Sequence, residues 1–122
     1  MPGGEFRFVY YAQDYGATVA FYRDGLELPI VGGWDRGPED QGTLFGAASG
    51  IIGVLHLDGR AFVPPQGGWL LYEVDDVAEQ FQRARAKGLP LSEELADHPW
   101  GHRAFSVTDP NGLKVVLFSI IG

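Results

Sequence analysis

The feature that most constrains this chain is that it runs one pattern of strand, capped helix and three strands twice. Shifting the 122-residue sequence by 62 positions lays Tyr10 on Tyr72, Asp14 on Asp76, Gly50 on Gly112, Val54 on Val116 and Leu55 on Leu117. In each half an aspartate follows an apolar strand and a glycine stands eleven or twelve residues further on, as Gly25 and Gly88. Those spacings read as a helix with an Asp N-cap and a Gly stop, repeated at nearly equal length. The chain is expected to form one α+β domain over residues 1–122. It is built from two tandem βαβββ modules, at about 6–58 and 68–120, whose curved sheets surround a cleft.

Residues 6–12 alternate Phe6, Phe8 and Tyr10 with Arg7, Val9 and Tyr11, a strand that is largely apolar on both faces. The first helix is expected from about Tyr15 to Asp24, with Gly25 as a left-handed cap, followed by short strands at 30–34, 43–47 and 51–57. The stretch Asp58-Gly-Arg-Ala-Phe-Val-Pro-Pro-Gln-Gly-Gly68 holds two prolines and breaks the pattern, which marks 59–67 as a linker. The pattern then restarts with a strand at 69–74. Asp76 with Glu79 predicts a capping box opening a helix with the apolar stripe Val77, Phe81 and Ala84, ended by Gly88. Near the C-terminus, Asp109-Pro-Asn-Gly112 separates two alternating apolar runs and predicts a hairpin.

Eighteen glycines and eight prolines favour many short strands joined by tight turns over a helical bundle. A net charge of −7 repels phosphate backbones and anionic headgroups, so neither nucleic acid nor membrane is expected as a partner. The same field would attract a cationic ligand, although acidity also serves solubility alone. With no cysteine the chain has no thiolate chemistry and no disulfide frame. No basic-then-apolar leader and no run of spanning length stands in the sequence, and a cytoplasmic location is expected.

Three stretches together resemble the vicinal oxygen chelate superfamily, the group of glyoxalase I, extradiol dioxygenases and bleomycin-resistance proteins. They are Asp14-Tyr-Gly-Ala-Thr-Val-Ala-Phe-Tyr-Arg-Asp-Gly-Leu26, Tyr72-Glu-Val-Asp-Asp76, and Trp100-Gly-His-Arg103 followed by Asp109-Pro-Asn-Gly112. The resemblance runs from Phe6 to Ser119. It implies the paired-module fold and a cleft commonly completed by modules of two chains, hence a homodimer. One scaffold of this kind hosts isomerases, dioxygenases, transferases and simple binders, so chemistry has to be read from the site.

Enzymes of that superfamily hold a divalent metal on the first and last strands of each module, usually through His or Glu. The resemblance maps those positions onto Arg7, Trp69, Val116 and either His56 or Val54. A guanidinium, an indole and an isopropyl group offer a metal no lone pair, and one imidazole does not hold a catalytic ion. The resemblance therefore implies no metal and no cofactor here. It points to the bleomycin-resistance branch, which binds without turning over.

The residues expected to bind a ligand are Arg7, Tyr11, Trp34, His56, Trp69 and Trp100. The rings supply stacking surface, while His56 and Arg7 orient polar groups. Arg7 needs a counter-charge, for which Glu73 and an anionic ligand group are the candidates. His98 and His102 stand four apart, a metal spacing on a helix, but Pro99 and Gly101 between them argue for loop or strand. Asp35/Glu39/Asp40 and Glu93/Glu94/Asp97 read as solvated loop surface or as an acidic rim for a cationic ligand. The expected function is sequestration of an aromatic or peptide-like small molecule, such as an antibiotic. The alternatives are an enzyme of the same fold that uses non-standard metal ligands or pairs His56 with Glu73 as acid and base, and a regulatory module with a closed cleft.

Overall fold

A computed structural model describes residues 3–122 and divides into two compact units, the first ending at Pro64 and the second spanning Pro65–Gly122. The boundary falls inside the stretch read as a linker. Unit one runs β1 (Arg7–Ala12), α1 (Tyr15–Ala20) continued by a π-helical turn (Phe21–Gly25), β2 (Ile30–Asp35), β3 (Gln41–Ala47) and β4 (Gly50–His56). Unit two runs β5 (Trp69–Glu73), α2 (Val77–Ala86), β6 (Leu91–Asp97), β7 (His102–Thr108) and β8 (Lys114–Ile120). Each unit is a four-stranded mixed sheet, ordered β1-β4-β3-β2 and β5-β8-β7-β6. The first strand pairs in parallel with the last, and the remaining pairs are antiparallel. The α+β architecture of two βαβββ modules is thus present.

The helix starts are those the sequence marks. The Asp14 carboxylate accepts from the Ala17 N–H at 3.0 Å, and Asp76 accepts from Glu79 N–H at 3.1 Å. The expected capping box is only half made, because the Glu79 carboxylate turns forward to Arg83 at 2.8 Å rather than back to the cap. Gly25 is not the left-handed stop either. It closes the π turn in which Leu26 N–H reaches Phe21 C=O at 2.9 Å, and the chain leaves the helix through Glu27 at φ 60°. Gly88, by contrast, has φ 71° as expected for a helix stop. The hairpin turn also forms as read: Asp109 Oδ1 accepts from the N–H groups of Asn111 and Leu113 at 2.8 and 2.9 Å, and Gly112 takes φ 87°.

In each unit the helix covers one sheet face and leaves the other open. Under α1 and its π turn lie Tyr10, Phe45 and Val54, with the Tyr22 ring 5.7 Å from that of Phe45. Under α2 lie Tyr72, Phe105 and Leu117, with the rings of Phe81 and Phe105 5.3 Å apart. Side chains alternate along a strand, so Arg7, Val9 and Tyr11, and likewise Trp69, Leu71 and Glu73, project from the uncovered faces.

The two covered faces differ at one polar atom. Tyr10 donates its hydroxyl to that of Tyr22 at 3.1 Å, whereas the hydroxyl of its repeat counterpart Tyr72 is buried with no hydrogen-bond partner among the described residues. Burial accordingly pushes the Tyr72 phenol well above its usual titration range. An unsatisfied buried hydroxyl costs stability that its removal recovers, so Tyr72→Phe should raise the free energy of unfolding by about 1 kcal/mol. Urea denaturation checks this, and a variant destabilised instead would mean that the hydroxyl is satisfied.

Candidate functional site

The strand registers decide which residues share the uncovered faces. Val9 lies opposite Gly53 on β4, whereas Leu71 lies opposite Val116 on β8. The repeat offset is therefore 62 on the first strands but 63 on the last, because unit two carries one more residue between its cap and its last strand. Gly53, not Val54, is the structural counterpart of Val116. Val54 is fully buried beneath the helix, and His56, two residues on, lies on that same face. The His56 ring sits 5.5 Å from the Tyr15 ring, and its Nδ1 is 2.8 Å from the Leu57 carbonyl oxygen. His56 touches the pocket of unit one at its border but does not share a face with Arg7.

The first-strand positions are equally unsuited to a metal. Arg7 is ion-paired with Glu5, which replaces the expected partners Glu73 and an anionic ligand group. Gly53 carries no side chain and Val116 only a hydrocarbon one, and no group of three or more His, Asp or Glu side chains among the described residues converges to hold an ion. The donor set at these positions does not fit a divalent metal.

What the open faces carry is aromatic surface. In unit two an opening of about 140 Å³ is lined by Trp69, Leu71, His98, Trp100, His102 and Val116, with Glu93 and Lys114 as its charged pair. Trp69 is 62% exposed and Trp100 67% exposed. The His98 imidazole stacks on Trp100 at 4.5 Å and 13°, and His102 stacks on Phe118 at 4.2 Å and 8°. The residues between the two histidines form a tight turn, with Gly101 N–H donating to His98 C=O at 3.0 Å, so the pair has no helical metal geometry. Lys114 Nζ lies 3.9 Å from the Trp69 ring centroid and 2.7 Å from Glu93 Oε1. The buried Ser106 hydroxyl donates to the same carboxylate at 3.0 Å and is itself 3.0 Å from the Ser92 hydroxyl. These bonds, the Lys114 one first and the Ser106 one second, hold the Glu93 carboxyl below the usual range. Glu93, Glu94 and Asp97 thus belong to strand β6, not to a loop.

Unit one presents a wider open pocket, of about 480 Å³, bordered by Tyr11, Trp34, Arg36, Glu39, Leu55 and Asp58 among others. Trp34 lies flat across β3, where a Cβ on Gly42 would come within 2.5 Å of the indole. Its Nε1 donates to Asp40 at 3.0 Å, and Arg36, paired with Asp40 at 3.1 Å, covers the ring at 5.5 Å. Tyr11 is covered in the same way by Arg60 at 4.7 Å, with Arg60 held by Asp58 at 2.5 Å. Of the expected binding residues, the structure brings Tyr11, Trp34 and His56 to the pocket of unit one and Trp69 and Trp100 to that of unit two. It leaves Arg7 outside both.

Arg36, Arg60, Lys114 and Ser106 are not among the residues that the sequence marks for binding. Lys114 alone had a usable signal, since it begins the strand that follows the Asp-Pro-Asn-Gly turn and so stands beside the first strand of a parallel pair.

A family model described as the Glyoxalase/Bleomycin resistance protein/Dioxygenase superfamily matches residues 6–117. A search of curated proteins returns no match. Among solved structures, TioX from Micromonospora sp. ML1 is 21% identical and covers 98% of this chain and 100% of its own, at a TM-score of 0.79. Lactoylglutathione lyase from Agrobacterium tumefaciens is 23% identical over 98% of this chain and 95% of its own, at 0.72. A glyoxalase/bleomycin resistance protein/dioxygenase from Alicyclobacillus acidocaldarius is 16% identical over 96% and 91%, also at 0.72. At these identities the likeness is one of fold.

The Glu93 contacts carry a pH dependence of known sign. A carboxyl whose folded pKa is depressed stabilises the fold above its unfolded pKa and loses that contribution as pH falls through the folded value. In a carboxyl NMR titration Glu93 should titrate below an ordinary glutamate, and Lys114→Met should move it upward. A midpoint unchanged by the substitution would show that Lys114 does not hold the carboxylate in solution.

Proposed function

The chain belongs to the Glyoxalase/Bleomycin resistance protein/Dioxygenase superfamily, and within it we propose a metal-free protein that binds and sequesters a small molecule carrying an aromatic or peptide-like group, such as an antibiotic. The observation that carries this reading is the open face of unit two. There two mostly exposed indoles and two imidazole–ring stacks surround one opening with a single ion pair. Binding pockets are apolar walls with a few fixed polar groups, and this face has that composition. At about 140 Å³ the opening takes one ring-sized group, with the rest of the ligand lying across the exposed rings.

Large apolar side chains left in water on a small domain call for a covering partner. Leu71 and Trp69 on β5 and Ile120 on β8 are such side chains. A ligand covers part of that surface, and a second copy of the chain in a homodimer is proposed to cover more. Retention on the open face needs no titratable group poised for proton transfer. His56, the sequence candidate for that role, lies on the helix-covered face beside Tyr15 with its Nδ1 against a backbone carbonyl. None of the described helices is long and apolar enough to cross a membrane.

Trp69 has little to do in the core, so its removal separates binding from folding. Trp69→Ala should weaken binding of an aromatic ligand, found by tryptophan fluorescence screening, by about 1–3 kcal/mol. It should change unfolding stability by no more than roughly 0.5 kcal/mol, the usual range for surface substitutions. Comparable losses in both would assign the indole to packing and end this reading of the face.

A further inference from the structure

Three rings that line the two openings share one arrangement. Trp69 is covered by Lys114, itself held by Glu93; Trp34 by Arg36, held by Asp40; and Tyr11 by Arg60, held by Asp58. Each is a π face and a carboxylate converging on one cation, and in each the cation is the protein's own. A ring face with a carboxylate at its edge is the composition that recognises an organic cation, because the ring quadrupole and the charge both favour a positive group.

We propose that the Trp69–Glu93 pair is the cation subsite of the ligand pocket, and that Lys114 is a resident competitor that a ligand's ammonium or amidinium group displaces. This rests on the reading of unit two as a ligand site and names the charge of what it takes.

The local chemistry separates this from the opposite assignment, in which Lys114 would greet an anion. Its ammonium is already committed to Glu93 at 2.7 Å, so an anion would have to break that pair and then face the freed carboxylate. Glu93 does not depend on Lys114 for its place, because the buried Ser106 hydroxyl holds the same oxygen at 3.0 Å. Lys114 can therefore swing away on its four-carbon stem while the carboxylate stays held in the opening that Trp69 lines. The net charge of −7 draws cations toward the surface and repels anions. Arg36 and Arg60 are less readily displaced, since a guanidinium engages its carboxylate and ring as a rigid fork, whereas an ammonium is a point charge.

Three probes of nearly the same shape test the charge directly: benzamidinium, benzamide and benzoate, titrated into the wild-type protein and into Lys114→Met and Glu93→Gln, with binding read by tryptophan fluorescence and by NMR shifts of the Trp69 indole. Lys114→Met keeps the apolar stem and removes the competitor. It should tighten benzamidinium by about 3–10-fold, the equivalent of the cation–π and exposed ion-pair contacts released, and leave benzamide within about 2-fold. Glu93→Gln should abolish the preference for benzamidinium over benzamide. Circular dichroism and urea midpoints confirm that both variants fold.

If benzamide binds at the Trp69 indole but Lys114→Met leaves benzamidinium no tighter, or if benzoate is the preferred probe, Lys114 is no competitor and this assignment fails while the binding reading stands. If no probe shifts the Trp69 indole in any of the three proteins, the ligand site itself is refuted and the cation subsite with it.

Discussion

The parallel pairing of the first and last strand in each unit is the constraint from which the rest follows. A parallel neighbour cannot be reached through a tight turn, so the chain must cross over before it returns. Here the crossover contains a helix and two further strands. The helix must bury its apolar stripe, and the only surface within reach is one face of its own sheet. Tyr22 on Phe45 in unit one and Phe81 on Phe105 in unit two are the result. Each sheet is thereby committed to one covered and one open face, and whatever β1, β4, β5 and β8 project from the open faces is available to a ligand.

Much of that frame was legible in the residues because it depends on local chemistry. Asp14 and Asp76 cap helices through their own carboxylates, and Asp109 fixes its turn by accepting from two backbone N–H groups nearby. The face of His56 was harder to read. A strand repeats every two residues, so one extra residue between the cap and the last strand reverses which side chains match between the repeats. Identities such as Val54 with Val116 align by letter but stand on opposite faces, and only the ladder of β1 on β4 against that of β5 on β8 reveals it. The failed Gly25 stop is a related case. A glycine looks like a left-handed cap, but the π turn consumes it and shifts the positive φ to Glu27.

The charged pairs on the open faces were illegible for a different reason. Glu93 and Lys114 lie 21 positions apart, on strands separated in the sheet by β7. Local patterning records no preference for such a pair, so Glu93 read as one more surface acid. The rings themselves were visible as an excess of tryptophan on strand and turn positions. What covers them depends on long side chains whose reach crosses strands, a property of the assembled sheet and not of any segment.

That covering has a physical rationale that joins the absent metal donors to the aromatic faces. Arg7, Trp69 and Val116 offer a metal no donor, and a surface without metal donors needs another source of specificity. A bare indole in water associates with almost any apolar partner. One covered by an ammonium stem keeps its apolar body partly shielded while its charged end stays solvated. An exposed ion pair contributes only about 0–1 kcal/mol, so the cover is weak enough to yield to a ligand that makes the same contacts with a better-shaped cation. Neutral aromatics gain nothing by displacing the lysine, because they cannot replace its charge beside Glu93, and anions must approach a carboxylate. On the proposed reading, self-occupation of the ring rejects both classes by a margin set by Glu93, and the ion pair, not the size of the aromatic surface, is the source of selectivity on this face.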